Sequence, residues 1–256
     1  MIDNAFKKYE KLTHELKKFE KVAVLLSGGL DSSFLLYAAK NTLGNENVVA
    51  VTVVFPYTIK RCVERAKKFA EKLKVKHVII KDDEILNDPD IQYNTKNRCY
   101  ACKRRMIKLA SEIKNFKLID GTNADDLLEY RPGIKALREF GVQSPLAKVN
   151  FSKEEIRAVS KELGLEFWNL SPNTCLLTRF PYNEEISTEK LRRIERVEDL
   201  IVDCTGIESI RARFHGDLIR IETDMIKDLV SRLLDRKDCL EEIRSLGFKY
   251  VTVQIS

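Results

Sequence analysis

Nothing in this 256-residue chain approaches the ~18 consecutive apolar residues that a membrane span requires, so no membrane partner is expected. The stretch from Met1 to Lys21 lacks an apolar signal core. It reads as a charged amphipathic helix, and the protein is expected in the cytoplasm. Disulfides are scarce there, so the six cysteines should be thiols or metal ligands. The glycine turn after the first apolar run lacks a Gly-Lys-Ser/Thr ending, which excludes a Walker loop. What is present, 44% hydrophobic and 33% charged residues, is the composition of a globular protein rich in solvated helices. The net charge of +6 suits an anionic substrate but does not by itself separate a nucleotide from RNA.

The chain is organised around Lys21 to Ser33. The apolar run Val22-Ala23-Val24-Leu25-Leu26 leads directly into Ser27-Gly28-Gly29-Leu30-Asp31-Ser32-Ser33. A helical pattern with Phe34, Leu35, Ala38 and Ala39 follows, so the order is buried strand, glycine turn, helix start. Gly28 and Gly29 allow positive φ and a close approach of backbone N–H groups to a ligand. The helix adds its free N–H groups and positive dipole end at the same spot, which makes a phosphate site. Ser27, Ser32 and Ser33 supply hydroxyls, and Asp31 can help hold Mg²⁺ on the phosphates. The segment resembles the Ser-Gly-Gly-x-Asp-Ser signature of the PP-loop ATP pyrophosphatases, which cleave ATP between the α and β phosphates.

Strand and helix signals alternate through the first two thirds of the chain. Val48 to Phe55, His77 to Ile80 and Leu118-Ile119-Asp120 read as strands. Helices are expected at Thr58 to Leu73 and about Cys99 to Ile113. Such alternation implies an α/β, doubly wound parallel sheet whose ligands gather at the carboxyl ends of the strands. The phosphate loop, Phe55 at the end of the second strand, and Gly121-Thr122-Asn123 would then face one cleft. Adenine is expected against the second strand end. A capping box at Ser152 and Glu155 opens another helix, which stops at Gly164. The composition shifts after Trp168, which divides the chain into residues 1–170 and a smaller α+β domain, residues 171–256. In that domain a helix from Thr188 to Val202 precedes a hairpin, Ile210 to His215 and Leu218 to Glu222. A helix from about Met225 and a last strand, Tyr250 to Ile255, end it.

Asp125 and Asp126 follow the fourth strand; carboxylates there are natural Mg²⁺ ligands, or equally an N-terminal helix cap. Gly121-Thr122-Asn123-Ala124-Asp125-Asp126, Tyr130-Arg131-Pro132-Gly133 and Gly141-Val142-Gln143-Ser144-Pro145-Leu146 resemble the LarE family, a branch of PP-loop sulfurtransferases. In the hairpin, Ile210, Ala212 and Phe214 face one way and Arg211, Arg213 and His215 the other. Exposed arginines on a hairpin are often plain surface, but two on one strand face can clamp a phosphate. The run from Arg211 to Gly216 resembles the family's substrate-phosphate strand. Arg179 and Glu198 match family positions near the reacting centre.

Cys62 falls on the apolar side of a helix and is expected in the core; Cys204 and Cys239 are expected to be structural. Cys99 and Cys102 form a Cys-x-x-Cys pair at a helix start, and Cys175 stands alone before Arg179. Three readings fit the trio: an iron–sulfur cluster with one iron open for a labile sulfide, sacrifice of the Cys175 sulfur, or a three-thiolate zinc site. The resemblance favours a [4Fe-4S] cluster on Cys99, Cys102 and Cys175.

The resemblance spans about residues 15 to 256 and implies ATP and Mg²⁺ as cofactors. It also implies adenylylation of pyridinium-3,5-dicarboxylate mononucleotide, then attack by sulfur to give thiocarboxylates for the nickel-pincer cofactor. Implied partners are that small nucleotide-like molecule, other enzymes of nickel-pincer cofactor synthesis, and copies of the same chain. The rival is a PP-loop tRNA thiolase. No RNA-binding extension or paired cysteine motifs accompany the basic charge, so nucleic acid is not expected as a partner.

Overall fold

Val22–Leu25 (β1) is apolar and buried at every position, the mark of a strand covered on both faces. The computed structural model describes residues 2–255. It divides into two units: Met1–Ile85 with Asn97–Leu170, and Leu86–Lys96 with Ser171–Ser256.

In chain order, helix α1 (Ile2–Leu16) precedes β1, and α2 (Leu30–Leu43) follows it. Then come β2 (Val48–Val54), α3 (Lys60–Lys72) and β3 (Lys76–Lys81). The short helix α4 (Pro89–Gln92) lies in the segment that groups with the second unit. The first unit resumes with α5 (Arg98–Ala110), β4 (Lys117–Ile119), α6 (Pro132–Glu139), α7 (Pro145–Lys148) and α8 (Lys153–Glu162).

The four strands form one parallel sheet in the order β3-β2-β1-β4. Alternate strand residues feed two cores. Val22, Val24, Val48 and Ala50 pack with Leu12, Leu16, Phe34, Leu35, Ile156 and Val159 of α1, α2 and α8. Ala23, Leu25, Val49 and Val51 pack with Ile107 and Ala110 of α5 and Ala136 and Leu137 of α6. This is the expected doubly wound α/β arrangement, and it directs the carboxyl ends of β1, β2 and β4 to one edge. The capping box at Ser152 forms: its hydroxyl accepts from Glu155 N–H, and its own N–H reaches Glu155 Oε2 at 2.9 Å. Among the described residues no helix is long and apolar enough to cross a membrane.

The second unit contains α9 (Thr188–Thr205), β5 (Ile210–His215), β6 (Leu218–Thr223), α10 (Ile226–Leu234), α11 (Lys237–Ser245) and β7 (Tyr250–Val253). Strand β6 pairs antiparallel with β5 and parallel with β7. Ile210, Ala212 and Phe214 are buried beneath α9, while Arg211 and Arg213 alternate outward. The single helix expected after Met225 is two helices. The buried positions Leu229 and Leu233 repeat at four residues, as do Cys239 and Ile243, but six separate the pairs. On a continuous helix six residues turn the face by about 240°. The break at Asp235–Arg236 lets both apolar faces reach the core.

Candidate functional site

The turn after β1 is shaped by two close approaches. Gly28 has φ +75°, and a Cβ there would stand 2.1 Å from the carbonyl oxygen of Cys62 in the first turn of α3. Only glycine meets both demands. At Gly121, after β4, a Cβ would lie 2.8 Å from Ser32 N in the first turn of α2. The loops after β1 and β4 are thus pressed together around the α2 N-terminus. Gly29 is the N-cap and contributes no side-chain acceptor, which leaves the first-turn N–H groups available to an anion.

Side chains hold the turn in shape. Ser32 Oγ lies 2.9 Å from Ser27 Oγ and accepts from Ser27 N–H. Thr52 of β2 donates to Leu26 O at 2.6 Å, fixing the residue before the loop. Phe55 follows β2 and is buried against Tyr57, with ring centroids 5.3 Å apart. Ser33 is buried within α2, where its N–H bonds Gly29 O.

The acidic residues separate into different jobs. Asp31 is pushed above the usual carboxylate range, first by burial and also by the neighbouring Asp126 charge; Lys153 and Asn123 oppose the shift. Its Oδ1 is buried without a hydrogen-bond partner, as is Nδ2 of Asn123. Asp126 exchanges hydrogen bonds with Asn123 at 3.1 Å and pairs with Arg131 at 2.7 Å. Asp125 instead accepts from Lys153 N–H at 2.8 Å, capping α8, and borders a separate cleft with Lys8 and Glu154. The structure therefore brings Asp31 and Asp126 together and turns Asp125 toward α8.

Asp120, at the end of β4, accepts from Thr122 and Ser144, and Lys103 of α5 lies 3.7 Å away. Cys99 and Cys102 are one turn apart at the start of that helix; Cys99 is exposed and Cys102 half-buried. Cys62, expected in the core, is half-buried. Its turn of α3 packs under Gly28, and Arg65 donates to its sulfur at 3.2 Å.

In the second unit, Cys175 is half-buried and opens a tight turn, Leu176–Arg179. Arg179 is fully buried and makes five hydrogen bonds. Two go to the Glu198 carboxylate at 2.6 and 3.2 Å, and three to Thr174 O, Thr174 Oγ1 and Thr178 Oγ1. Glu198 also accepts from Ala212 N–H of β5. Arg179 and Glu198 thus satisfy each other and grip the residue before Cys175.

Of the two hairpin arginines, Arg213 is engaged by Glu222 and by Thr178 O. Arg211 lines a cleft of about 400 Å³ with Ser171, Asn173, Ser209 and Glu222. Burial lowers the Arg211 pKa, and the like charges of Arg179 and Arg213 add to the shift. A cation so placed favours an anionic occupant. Cys239 is buried beside Cys204; burial and their hydrogen bond push its thiol up to about 12, the inert behaviour of a structural cysteine.

Thr174, Asp120 and Lys103, which make the contacts above, carry no signal in the sequence, being ordinary polar residues. Among the described residues no three His, Cys, Asp or Glu side chains are grouped as a metal site.

Residues 5–122 match the NAD synthase family model. The chain is 35% identical to an uncharacterized protein of Synechocystis, over 97% of this chain and 93% of the relative. It is equally similar, 35%, to an uncharacterized protein of Methanocaldococcus jannaschii, over 97% of this chain and 96% of the relative. It is also 31% identical to the pyridinium-3,5-bisthiocarboxylic acid mononucleotide synthase of Lactiplantibacillus plantarum, over 95% of this chain and 89% of that enzyme.

Proposed function

Since this chain belongs to the LarE family of PP-loop ATP-dependent enzymes, we propose that it converts the carboxylates of pyridinium-3,5-dicarboxylate mononucleotide to thiocarboxylates. The observation that carries the ATP half is the pair of close approaches at Gly28 and Gly121, which frame the α2 N-terminus as an anion cradle. ATP would lie there with its diphosphate on the loop of Ser27, Gly28, Gly29, Ser32 and Ser33, and its adenine beside Phe55. Gly121 and Asn123 would form the opposite wall. The unpartnered Asp31 oxygen beside Asp126 is the donor set a Mg²⁺ ion would neutralise; Asp125, the other carboxylate expected as a ligand, caps α8 instead.

A substrate carboxylate attacks the α phosphate, and diphosphate leaves. The resulting acyl-adenylate exchanges a poor leaving group, oxide, for AMP. Sulfur then attacks the activated carbonyl and AMP departs with the bonding pair. Arg211 is suited to the substrate phosphate, with Arg213 held beside it by Glu222. Arg179 and Glu198 act by shaping the Cys175 turn.

For the sulfur source, Cys99, Cys102 and Cys175 would together ligate a [4Fe-4S] cluster. The donors fit in chemistry: two thiols one helical turn apart and a third half-buried on a clamped turn, none of them tied in a disulfide. When bound, the cluster would supply a labile sulfide at its open iron. In this reading the protein works in the cytoplasm with other enzymes of nickel-pincer cofactor synthesis, as a homo-oligomer.

The test is anaerobic turnover of pyridinium-3,5-dicarboxylate mononucleotide with ATP and Mg²⁺, with an iron count on wild type and Cys175→Ala. Thiocarboxylate with equal diphosphate, and iron lost on substitution, is the expected result. No thiocarboxylate from a cluster-loaded wild type overturns the function. A colourless, active protein whose Cys175 loses the mass of sulfur after turnover replaces the cluster with sacrifice of that cysteine.

A further inference from the structure

The turn that Cys175 opens is held from both sides by buried polar side chains, and one of them comes from far away in sequence. Asn94 is completely buried. Its Nδ2 donates to Pro181 O at 2.8 Å and to Leu177 O and Phe180 O at 3.2 Å each. These three carbonyls close the turn that Cys175 opens. On the other side Arg179 Nη1 holds Thr174 O and Oγ1. The segment bearing Asn94 is fastened again by Gln92 O, which accepts from Ile186 N–H at 2.7 Å, and by Asn94 O, which accepts from Asn183 N–H.

The chemistry selects asparagine. Three carbonyl acceptors require a donor, and an amide NH₂ offers two hydrogens for them to share. Aspartate would present a charge of the wrong sign to all three. The backbone of Asn94 has φ +46°, a left-handed conformation that asparagine tolerates better than most residues. Five residues later the same chain reaches Cys99, at the start of α5.

We infer that Asn94 is a positioning residue for sulfur delivery: it sets the conformation of the Cys175 turn and has no part in adenylylation. The inference rests on the function proposed above. It predicts that removing the amide uncouples the two half-reactions, because the amide's hydrogen bonds go to the carbonyls of the Cys175 turn. Displacing a reacting atom by about 1 Å costs on the order of 10²-fold in rate.

The test uses the full-length protein with Asn94→Ala, Asn94→Asp and Asn94→Gly, the last retaining positive φ without the amide. Two quantities are read: diphosphate against thiocarboxylate in the first turnover with pyridinium-3,5-dicarboxylate mononucleotide, and the rate at which iodoacetamide alkylates Cys175, followed by peptide mass spectrometry. The expected result is diphosphate within about twofold of wild type, thiocarboxylate lower by about 10²-fold, and a several-fold change in Cys175 alkylation in all three variants. Thiocarboxylate within about twofold of wild type, or an equal fall in both products, overturns the inference. So does a set of variants that no longer folds, which would make Asn94 a residue of stability alone. If wild type itself forms no thiocarboxylate, the proposed function fails. The alkylation rate then decides the inference by itself, and an unchanged rate overturns it.

Discussion

Replacing Glu198 by Gln keeps the shape of the side chain but removes the carboxylate that pairs with the buried Arg179. Both side chains are essentially sealed from solvent, at 0% and 1% exposure. The Gln carbonyl oxygen can still accept from Ala212 N–H and Arg179 Nε, but its NH₂ must face the guanidinium Nη2. A cation then stays buried without a counter-charge, and breaking such a pair costs about 3–5 kcal/mol. For a chain of this size each kcal/mol moves the melting temperature by about 2–4 °C, so a fall of about 6–20 °C is expected. Circular dichroism melts of Glu198→Gln, Arg179→Met and the double variant Arg179→Met/Glu198→Leu measure it. The double variant should recover most of the loss, because an apolar pair of similar volume leaves no buried charge. It should still make little thiocarboxylate, since Thr174 loses its grip. A single-variant loss below about 1 kcal/mol, a value usual for exposed pairs, would refute the reasoning. So would a double variant no more stable than the singles.

Gly28→Ala should abolish diphosphate formation and lower stability. The left-handed backbone alone costs an L-residue about 1–2 kcal/mol, and the contact with Cys62 O forces the loop to shift; nucleotide-dependent thermal shift and diphosphate release both report it. Asp31→Asn should stabilise the ligand-free protein while removing Mg²⁺-dependent activity. The Asp31 pKa is raised in the folded state, so its ionisation opposes folding as pH climbs from the unfolded pKa through the folded one. The stability gain of the variant should be present at neutral pH and vanish in acid, where wild-type Asp31 is also neutral. A gain that is independent of pH would rule out this origin.

The first unit was readable because its signals are local. Apolar strands, the Ser27–Ser33 turn and the Ser152 capping box each declare themselves within a few residues, and their order along the chain implies the sheet. The hairpin of the second unit was legible for the same reason, from the period-two pattern of Ile210 to His215. What could not be read depends on contacts between distant residues. Arg179 and Glu198 stand out in the sequence by resemblance alone, and that they seal each other from water is visible only in three dimensions. Arg211 and Arg213 look equivalent in the pattern, yet Glu222 and Thr178 engage one and leave the other lining a cleft. The paired aspartates 125 and 126 likewise part company, because adjacent residues of a tight turn point to different neighbours. Asn94 gave no signal at all: a polar residue in a turn has nothing local to distinguish it.

The hydrogen bonds of Asn94 to Leu177, Phe180 and Pro181 join residues 83 to 87 positions apart. At a ribosomal pace of about 5–20 residues per second, Asn94 would be made roughly 4–17 s before its acceptors. Until then Asn94 and its neighbours wait without their partners, while the residues of the first sheet can already begin to associate. The order of synthesis thus delivers the donor of these bonds well before any of its acceptors.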